Sequence, residues 1–420
     1  MVKRAVRQGW KPLRLDELGS VSRGRSRHRP RNDPALYGGP YPFVQTADVS
    51  GCDVYITSYS QTYSEAGLEQ SRMWEPGTLC IVNAGENTGE TGILTFQACF
   101  PDSIIAFVPD RKKCDVAFVN YSLRLMKASL RTVTKGATQD NLSMDKLLSF
   151  PLSVPPVEVQ RRIGGVLTAY DDLVENNTKR IKILEEMSRS LYGGWFVNFR
   201  FPGHERTKFS NSKLGKIPEG WSHGVFTDMA DVLSGGTPST TTSTFWDGRI
   251  PWFTPRDVGT SYYVLDTDKH LTEEGVENCA SEEYPGDTIF ITARGTVGKL
   301  VLAGVPMAVN QSCYAIRGKP GYGQRFLYLA LLAQVEYLKK NVGGATFDTI
   351  VTETFRRMSA LIPPTHLVSK FEDLVASMFE RVRLLNLQND NLRATRDLLL
   401  PRLISGEIDV SSLPLEPAAS

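Results

Sequence analysis

The chain carries its own pattern twice, about 208 residues apart. Gly9-Trp10 recurs as Gly220-Trp221, and Leu15 to Gly24 recurs as Phe226 to Gly235, with Val21 over Val232. Pro42 and Asp48-Val49 recur as Pro251 and Asp257-Val258, and Pro76-Gly77 as Pro285-Gly286. Gly136-Ala137-Thr138 recurs as Gly344-Ala345-Thr346, and Pro155-Pro156 as Pro363-Pro364. Solenoid units run to roughly 20–50 residues, so this period is that of a duplicated domain pair. A duplicated chain can place two similar surfaces on two similar targets.

Each copy has two parts. The first mixes turns, short β-rich runs such as Gly77 to Asn83 and Ser103 to Val108, and helical stretches such as Val116 to Lys127. The second copy repeats this with Gly286 to Thr292, Cys313 to Ile316 and Gln324 to Lys340. That mixture predicts an α+β globular domain. The second part is one long helix. From Val157 to Trp195 a heptad seam runs through Ile163, Leu167, Tyr170, Val174, Asn177, Ile181, Leu184, Ser188 and Leu191. The shifted copy gives Phe371, Val375, Met378, Val382, Leu385, Asn389, Leu392, Arg396 and Leu399. Pro155-Pro156 and Pro363-Pro364 mark the starts, and Gly193-Gly194 and Pro401 the ends. Two equal seams in one chain most simply bury each other as an antiparallel pair; the alternative is that each packs on its own globular domain. Helices of about 35–40 residues would make a rod of roughly 50–60 Å, the geometry of a ruler.

At 420 residues, with 41% hydrophobic and 22% charged residues, the chain reads as soluble, with two or three domains. No apolar run approaches a membrane span of roughly 18 residues, and the N-terminal sequence lacks a signal-peptide core. Cys52, Cys80, Cys99, Cys114, Cys279 and Cys313 are scattered and read as reduced cytosolic thiols, with no metal or disulfide framework. Phosphate-loop, G-x-S-x-G, H-E-x-x-H and D/N-P-P-Y/F motifs are absent, so nothing in the sequence argues for catalysis.

Binding chemistry remains. The first 31 residues carry ten Lys or Arg against two acids, and Arg23, Arg25, Arg27, Arg29 and Arg31 put a cation at every second position. Such a run suits phosphate contact, or is a solvated flexible loop. Glycine-flanked polar segments recur, Ala84 to Gly92 matching Ala293 to Gly298 and Gly136 to Asn141 matching Gly344 to Thr349. They can present donors and acceptors to bases or phosphates, or serve only as turns. Where frame residues match, loop residues differ: Gln45-Thr46 sits where the second copy has Thr254-Pro255, and the arginine run faces Gly235 to Ser243, rich in Ser and Thr.

In its helical segments the chain resembles the specificity subunits of type I restriction-modification systems. Pro155-Pro-Val-Glu-Val-Gln-Arg-Arg-Ile163 resembles the family's P-P-x-x-E-Q-x-x-I helix opening. Asn176 to Met187 followed by Trp195-Phe196 resembles its central conserved region, and Arg396 to Ile408 its distal one. Gly215-Lys-Ile-Pro-Glu-Gly-Trp221 resembles the entry to a second target-recognition domain. Val159 stands where the family has Glu, Val368 where it has Gln, and Phe347 replaces the Gln found at 139.

The resemblance implies an α+β fold of two target-recognition domains, joined and separated by two long antiparallel coiled-coil helices, with an internal pseudo-two-fold repeat. Residues 1–155 and 218–362 would be the target-recognition domains, 156–196 and 363–408 the central and distal conserved helices, 197–217 a linker and 409–420 a flexible tail. Each domain would read half of a bipartite double-stranded DNA site through the major groove. The helices would set the spacer and bind two methyltransferase subunits that hold S-adenosylmethionine; restriction/translocase subunits would dock on that core. The chain itself would be cytoplasmic, non-catalytic and without cofactor. The DNA-binding candidates are Arg23, Arg25, Arg27, Arg29, Lys135, Thr138, Gln139 and Asn141 in the first half, and Thr237, Arg256, Arg294, Thr296, Lys299 and Thr346 in the second. Off the seam, Arg161, Arg162, Lys179, Arg180, Lys182 and Glu185 are expected on the partner surface, with Trp195-Phe196 as an apolar tip. A different class stays open: a helical adaptor with peptide-binding globular domains. A self-contained methyltransferase is a third.

Overall fold

The computed structural model describes residues 9–28, 30–134, 141–212, 215–341 and 350–413. The two seams form helices, Val157–Tyr192 and Thr365–Ile404. The first continues for one π turn, Gly193–Val197, where paired glycines let the backbone widen. The second does not stop at Pro401, as the sequence suggests, but runs on to Ile404. A proline so near a C-terminus removes a single i to i−4 bond and leaves most of the helix undisturbed.

The chain divides into two compact units, residues 1–174 with 391–420, and residues 175–390. Both dividing points fall inside the long helices, so each helix contributes to both units. In the first unit Ile163 and Leu167 share a core with Leu403 and Ile404, and Asp171 meets Arg396. In the second, Asn389 donates to Thr178 at 3.4 Å, while Phe196 meets Phe371. Within each unit one helix number rises as the other falls, which is antiparallel pairing. Seam residues Ile163, Leu167, Val174, Ile181, Phe371, Val375, Val382 and Leu385 are buried, as are Asn177 and Asn389. A seam Asn costs stability and fixes register.

Each unit is built on a five-stranded sheet. In the first the order is Gly19–Arg23, Ile104–Pro109, Leu79–Val82, Thr91–Leu94, Tyr55–Ile56. In the second it is Ala230–Ser234, Cys313–Gly318, Ile289–Thr292, Leu300–Ala303, Tyr263–Val264. In both, every neighbouring pair is antiparallel except the last, which is parallel. The duplication seen in sequence is thus a duplication of topology. The central strands are apolar on both faces because both are covered. Leu79, Ile81, Ile105 and Phe107 face one core, with Phe118 and Tyr121 of the helix Val116–Thr134. Cys80, Val82, Ile104 and Ala106 face another, with Val44, Trp74 and Phe100. In the second unit Ile289, Ile291 and Leu302 face the core containing Phe326 and Leu327 of the helix Gln324–Asn341. Phe290, Val301 and Ala303 face Phe253 and Tyr284.

A small strand pair closes each unit on its long helices. Lys11–Leu13 pairs with Leu152–Val154, just before Pro155-Pro156, and Ser222–Val225 pairs with Ser359–Ile362, just before Pro363-Pro364. Gln160, fully buried, accepts from the Asp115 amide at 3.0 Å and donates to the carbonyls of Pro155 at 2.9 Å and Lys113 at 3.2 Å. At the matching position the second helix has Val368, also fully buried, so there an apolar contact replaces three hydrogen bonds. No described helix is long and apolar enough to cross a membrane.

Candidate nucleic-acid interface

The arginine run of the first unit leaves the edge strand Gly19–Arg23 at Gly24. Here a side chain is excluded: a Cβ on Gly24 would lie 2.1 Å from the Pro101 carbonyl, and one on Gly235 would lie 2.1 Å from that of Asn310. The run is not the flexible loop that its composition allows. The Arg25 amide donates to Phe100 O at 3.0 Å, and Ser71 Oγ donates to Arg25 O at 2.8 Å. Gln70 Oε1 accepts from the amides of Arg27 (2.6 Å) and His28 (3.1 Å). Arg31 Nη2 pairs with both carboxylate oxygens of Asp102, at 2.8 and 2.9 Å. Arg31 therefore spends its charge inside the unit. Arg23 and Arg27 are exposed and make no ion pair among the described residues, and Arg25 is half-buried. A tethered backbone with the Arg23 and Arg27 side chains exposed is prepared for phosphate or guanine contact, because the backbone part of the ordering entropy has already been lost.

Asn141 lies on the same surface. Asn83 donates from its amide to Ser103 O (3.0 Å) and from Nδ2 to Asp102 O (3.0 Å), while its own carbonyl accepts from Leu142 N at 2.8 Å. Thus the Arg31–Asp102 pair, Asn83 and the exposed Asn141 are contiguous. Arg29, Lys135, Thr138 and Gln139 lie outside the described residues. The adjoining loop, Asn83 to Glu90, carries two acids: Glu90 pairs with Lys127, and the backbone carbonyl of Glu86 accepts from Arg131.

In the second unit the matching loop is basic. Arg294, Thr296 and Lys299 are exposed, and neither cation makes an ion pair among the described residues. The loop is pinned by Thr292, whose hydroxyl accepts from Lys299 N at 3.0 Å and donates to Thr296 O. Ala293 donates to Ser312 O at 2.7 Å, and Ile350 donates to Ala293 O at 3.0 Å. Thr237 donates to Gln311 Oε1, next to Ser312, so Thr237 and the Arg294 loop share one surface. The Thr237 hydroxyl donates within its own chain and keeps its lone pairs for accepting. Arg256 is exposed beside them, since Asn310 N donates to Phe253 O at 3.0 Å. Thr346 lies outside the described residues.

The expected partner surface needs correction. Arg161 is paired with Glu158 at 2.9 Å and Lys179 with Glu175 at 2.7 Å, both exposed, and Arg180 and Lys182 face solvent. Arg162 is held by Leu413 O at 2.7 Å. Phe196 is not an apolar tip. It is 5% exposed and packs on Phe326 (4.8 Å), Phe371 (5.0 Å) and Trp221 (5.9 Å). Trp195 is half-buried against Phe371 at 5.6 Å. The π turn at Gly193-Gly194 rolls both rings inward, a bend that heptad counting cannot foresee. Glu185 is also buried: its carboxylate accepts from Ser261 Oγ at 2.9 Å and Tyr262 N at 2.8 Å. Burial raises its pKa, and the Tyr262 amide and Ser261 hydroxyl oppose the shift. The exposed large apolar residues of the two long helices are Leu173, Ile183, Met187, Leu374, Leu384, Leu387 and Leu398. A heptad reading passes over them because they fall outside the seam.

All six cysteines are free, and burial pushes the Cys52 thiol up to about 11 and Cys114 to about 12, away from the reactive thiolate. Among the described residues no cluster of three His, Cys, Asp or Glu could hold a metal ion.

Comparison with known proteins places these features. The type I restriction modification DNA specificity domain matches twice, at residues 7–186 and 218–367. The type I restriction enzyme MjaIX specificity subunit of Methanocaldococcus jannaschii is 22% identical over 416 residues, 97% of this chain and 95% of that protein. The HindI specificity subunit of Haemophilus influenzae is 24% identical over 334 residues, 66% of this chain and 72% of the relative. The crystal structure of a type I restriction-modification S subunit from M. genitalium shares the fold, with a TM-score of 0.61 at 14% identity over 96% of this chain and 98% of that one. With two specificity domains spanning most of its length and each built on the same five-stranded sheet, the chain belongs to the type I restriction-modification DNA specificity family.

Proposed function

We propose that this chain is the DNA-reading subunit of a type I restriction-modification complex and is not itself a catalyst. Each unit reads one part of a bipartite double-stranded site. The observation that carries the reading is the pairing of like frames with unlike loops. Both units have the same strand order, yet the first offers a tethered arginine run and the second a basic hairpin loop at Arg294 to Lys299. Cations on the outside of a fixed frame supply phosphate affinity, and differing loop side chains supply different base preferences.

The paired helices would set the spacer between the half-sites. Their exposed apolar residues, with Arg161, Lys179, Arg180 and Lys182 nearby, suit two methyltransferase subunits that carry S-adenosylmethionine, and restriction/translocase subunits would join that assembly. A pull-down of the full chain with mass spectrometry tests the partners; a gel shift at several salt concentrations tests the DNA. The reading expects methyltransferase subunits and a steep fall of affinity with salt. Salt-independent binding of a peptide ligand would favour an adaptor instead.

A further inference from the structure

We propose that Gln45, held in place by Gln61, reads an adenine edge in the half-site of the first unit. The inference rests on the DNA-reading function above and assigns a base-reading position within it. Its basis is a frame that both units share and a side chain that they do not. In the first unit Gln45 N donates to Asp48 Oδ2 at 2.7 Å; in the second, Thr254 N donates to Asp257 Oδ2 at the same 2.7 Å. Gln61 pairs with Phe43 and Lys269 lies opposite Trp252, the residues two places before Gln45 and Thr254.

On this common scaffold the exposed chemistry diverges. Gln45 Nε2 donates to Gln61 Oε1 at 2.5 Å. In the second unit the corresponding groups are turned elsewhere: Thr254 Oγ1 donates to Asp257 Oδ2 at 2.7 Å, and Lys269, opposite Trp252 as Gln61 is opposite Phe43, places Nζ 5.5 Å from the Trp246 ring centroid. Gln61 is exposed and Gln45 half-exposed. Two amides bonded to each other there do not serve a core. The bond uses one N–H of Gln45; among the described residues its oxygen and second N–H have no other side-chain bond. A carbonyl beside an N–H is the pair of groups that matches adenine N6 and N7 in the major groove. Gln61 removes rotamer freedom that binding would otherwise have to remove.

The pair also lies beside the cations. Val44 N donates to Cys99 O at 2.9 Å, while the next carbonyl, Phe100 O, accepts from Arg25 N at 3.0 Å. From the other side, Tyr63, on the same face of its strand as Gln61, hydrogen-bonds Ser26 between Arg25 and Arg27. Phosphate-binding groups and a base-reading group therefore sit on one surface.

The test is selection of duplexes from a randomised library by the full chain with its co-purifying subunits. The wild type is expected to select a split site with an A·T pair at one position of one half. Gln45→Ala and Gln61→Ala should each lower the preference for adenine there by roughly tenfold or more, with every other position and the other half unchanged. Gln45→Glu should move the preference at that position toward cytosine, because a carboxylate accepts from N4. A wild-type split site whose preferences survive all three substitutions, or weaken equally at every position, overturns the inference and leaves the DNA-reading function standing. Failure of the wild type to select any split site overturns both.

Discussion

Arg396 stands at a seam position where a heptad wants an apolar residue, and in the first unit it meets Asp171, which is 3% exposed. Asp171 also accepts from Tyr121 Oη, and Arg396 Nη2 holds Asp397 at 2.9 Å. Burial and the adjoining carboxylate push the Tyr121 phenol far above its usual pKa, so it stays a donor. Arg396→Met keeps the stem and removes the charge, stranding a buried carboxylate. Removing one partner of such a pair costs about 3–5 kcal/mol. For a unit of this size each kcal/mol moves the melting temperature by about 2–4 °C, so the transition of the first unit should fall by roughly 6–20 °C in calorimetry. Tyr121→Phe, which removes one hydrogen bond to a charged group, should cost about 1.5–3 kcal/mol. The triple change Tyr121→Phe, Asp171→Leu, Arg396→Met removes every member and should return to within about 1–2 kcal/mol of wild type, since a packed apolar cluster can replace a buried pair. A loss below about 1 kcal/mol for Arg396→Met, or a triple variant as unstable as the single one, would refute the reasoning.

Phe196→Ala should cost about 3–5 kcal/mol through the core of the second unit; an unchanged melting curve with abolished partner binding would restore its place as a docking tip. Changing Arg23 and Arg27 to Ala together should reduce the slope of log affinity against log salt by about 0.9 for each phosphate that is no longer neutralised, and an unchanged slope would remove them from the interface. Because the folded pKa of Glu185 is raised, its contribution to stability is fully present below the ordinary carboxylate value of about 4.3 and is lost as pH rises through the folded value. Glu185→Gln should therefore flatten the stability profile above that point; urea titrations at several pH values giving parallel curves would contradict this. Inserting one heptad in both long helices should lengthen the selected spacer and leave both half-sites alone, and an unchanged spacer in a folded variant would end the ruler idea.

The long helices were legible because a 3.5-residue period is written locally: the buried positions Ile163, Leu167, Val174 and Ile181 are the ones that counting selects. Glu185 and Phe196 were not, because their fate depends on Tyr262 and Phe326, residues 77 and about 130 positions away. The arginine run was legible as charge, but its tethering by Gln70 and the capture of Arg31 by Asp102 join distant segments. Gln45 was visible as a difference between the copies, while its bond to Gln61 required the strand pairing. Arg29, Lys135, Thr138, Gln139 and Thr346 fall outside the described residues, so the structure adds nothing to those assignments.

The division of each long helix between both units has a consequence for biosynthesis. The first unit takes the second long helix from residue 391 into its body, and Leu403, Ile404 and Val410 join the core of Ile163 and Leu167. A ribosome that has finished residues 1–174 has therefore not made a finished unit. The apolar face of the first helix stays incompletely covered until the second unit has been synthesised and the chain has come back. Premature termination after residue 390 would leave every residue of the second unit made and damage the first, so the earliest-made half is the last to be completed.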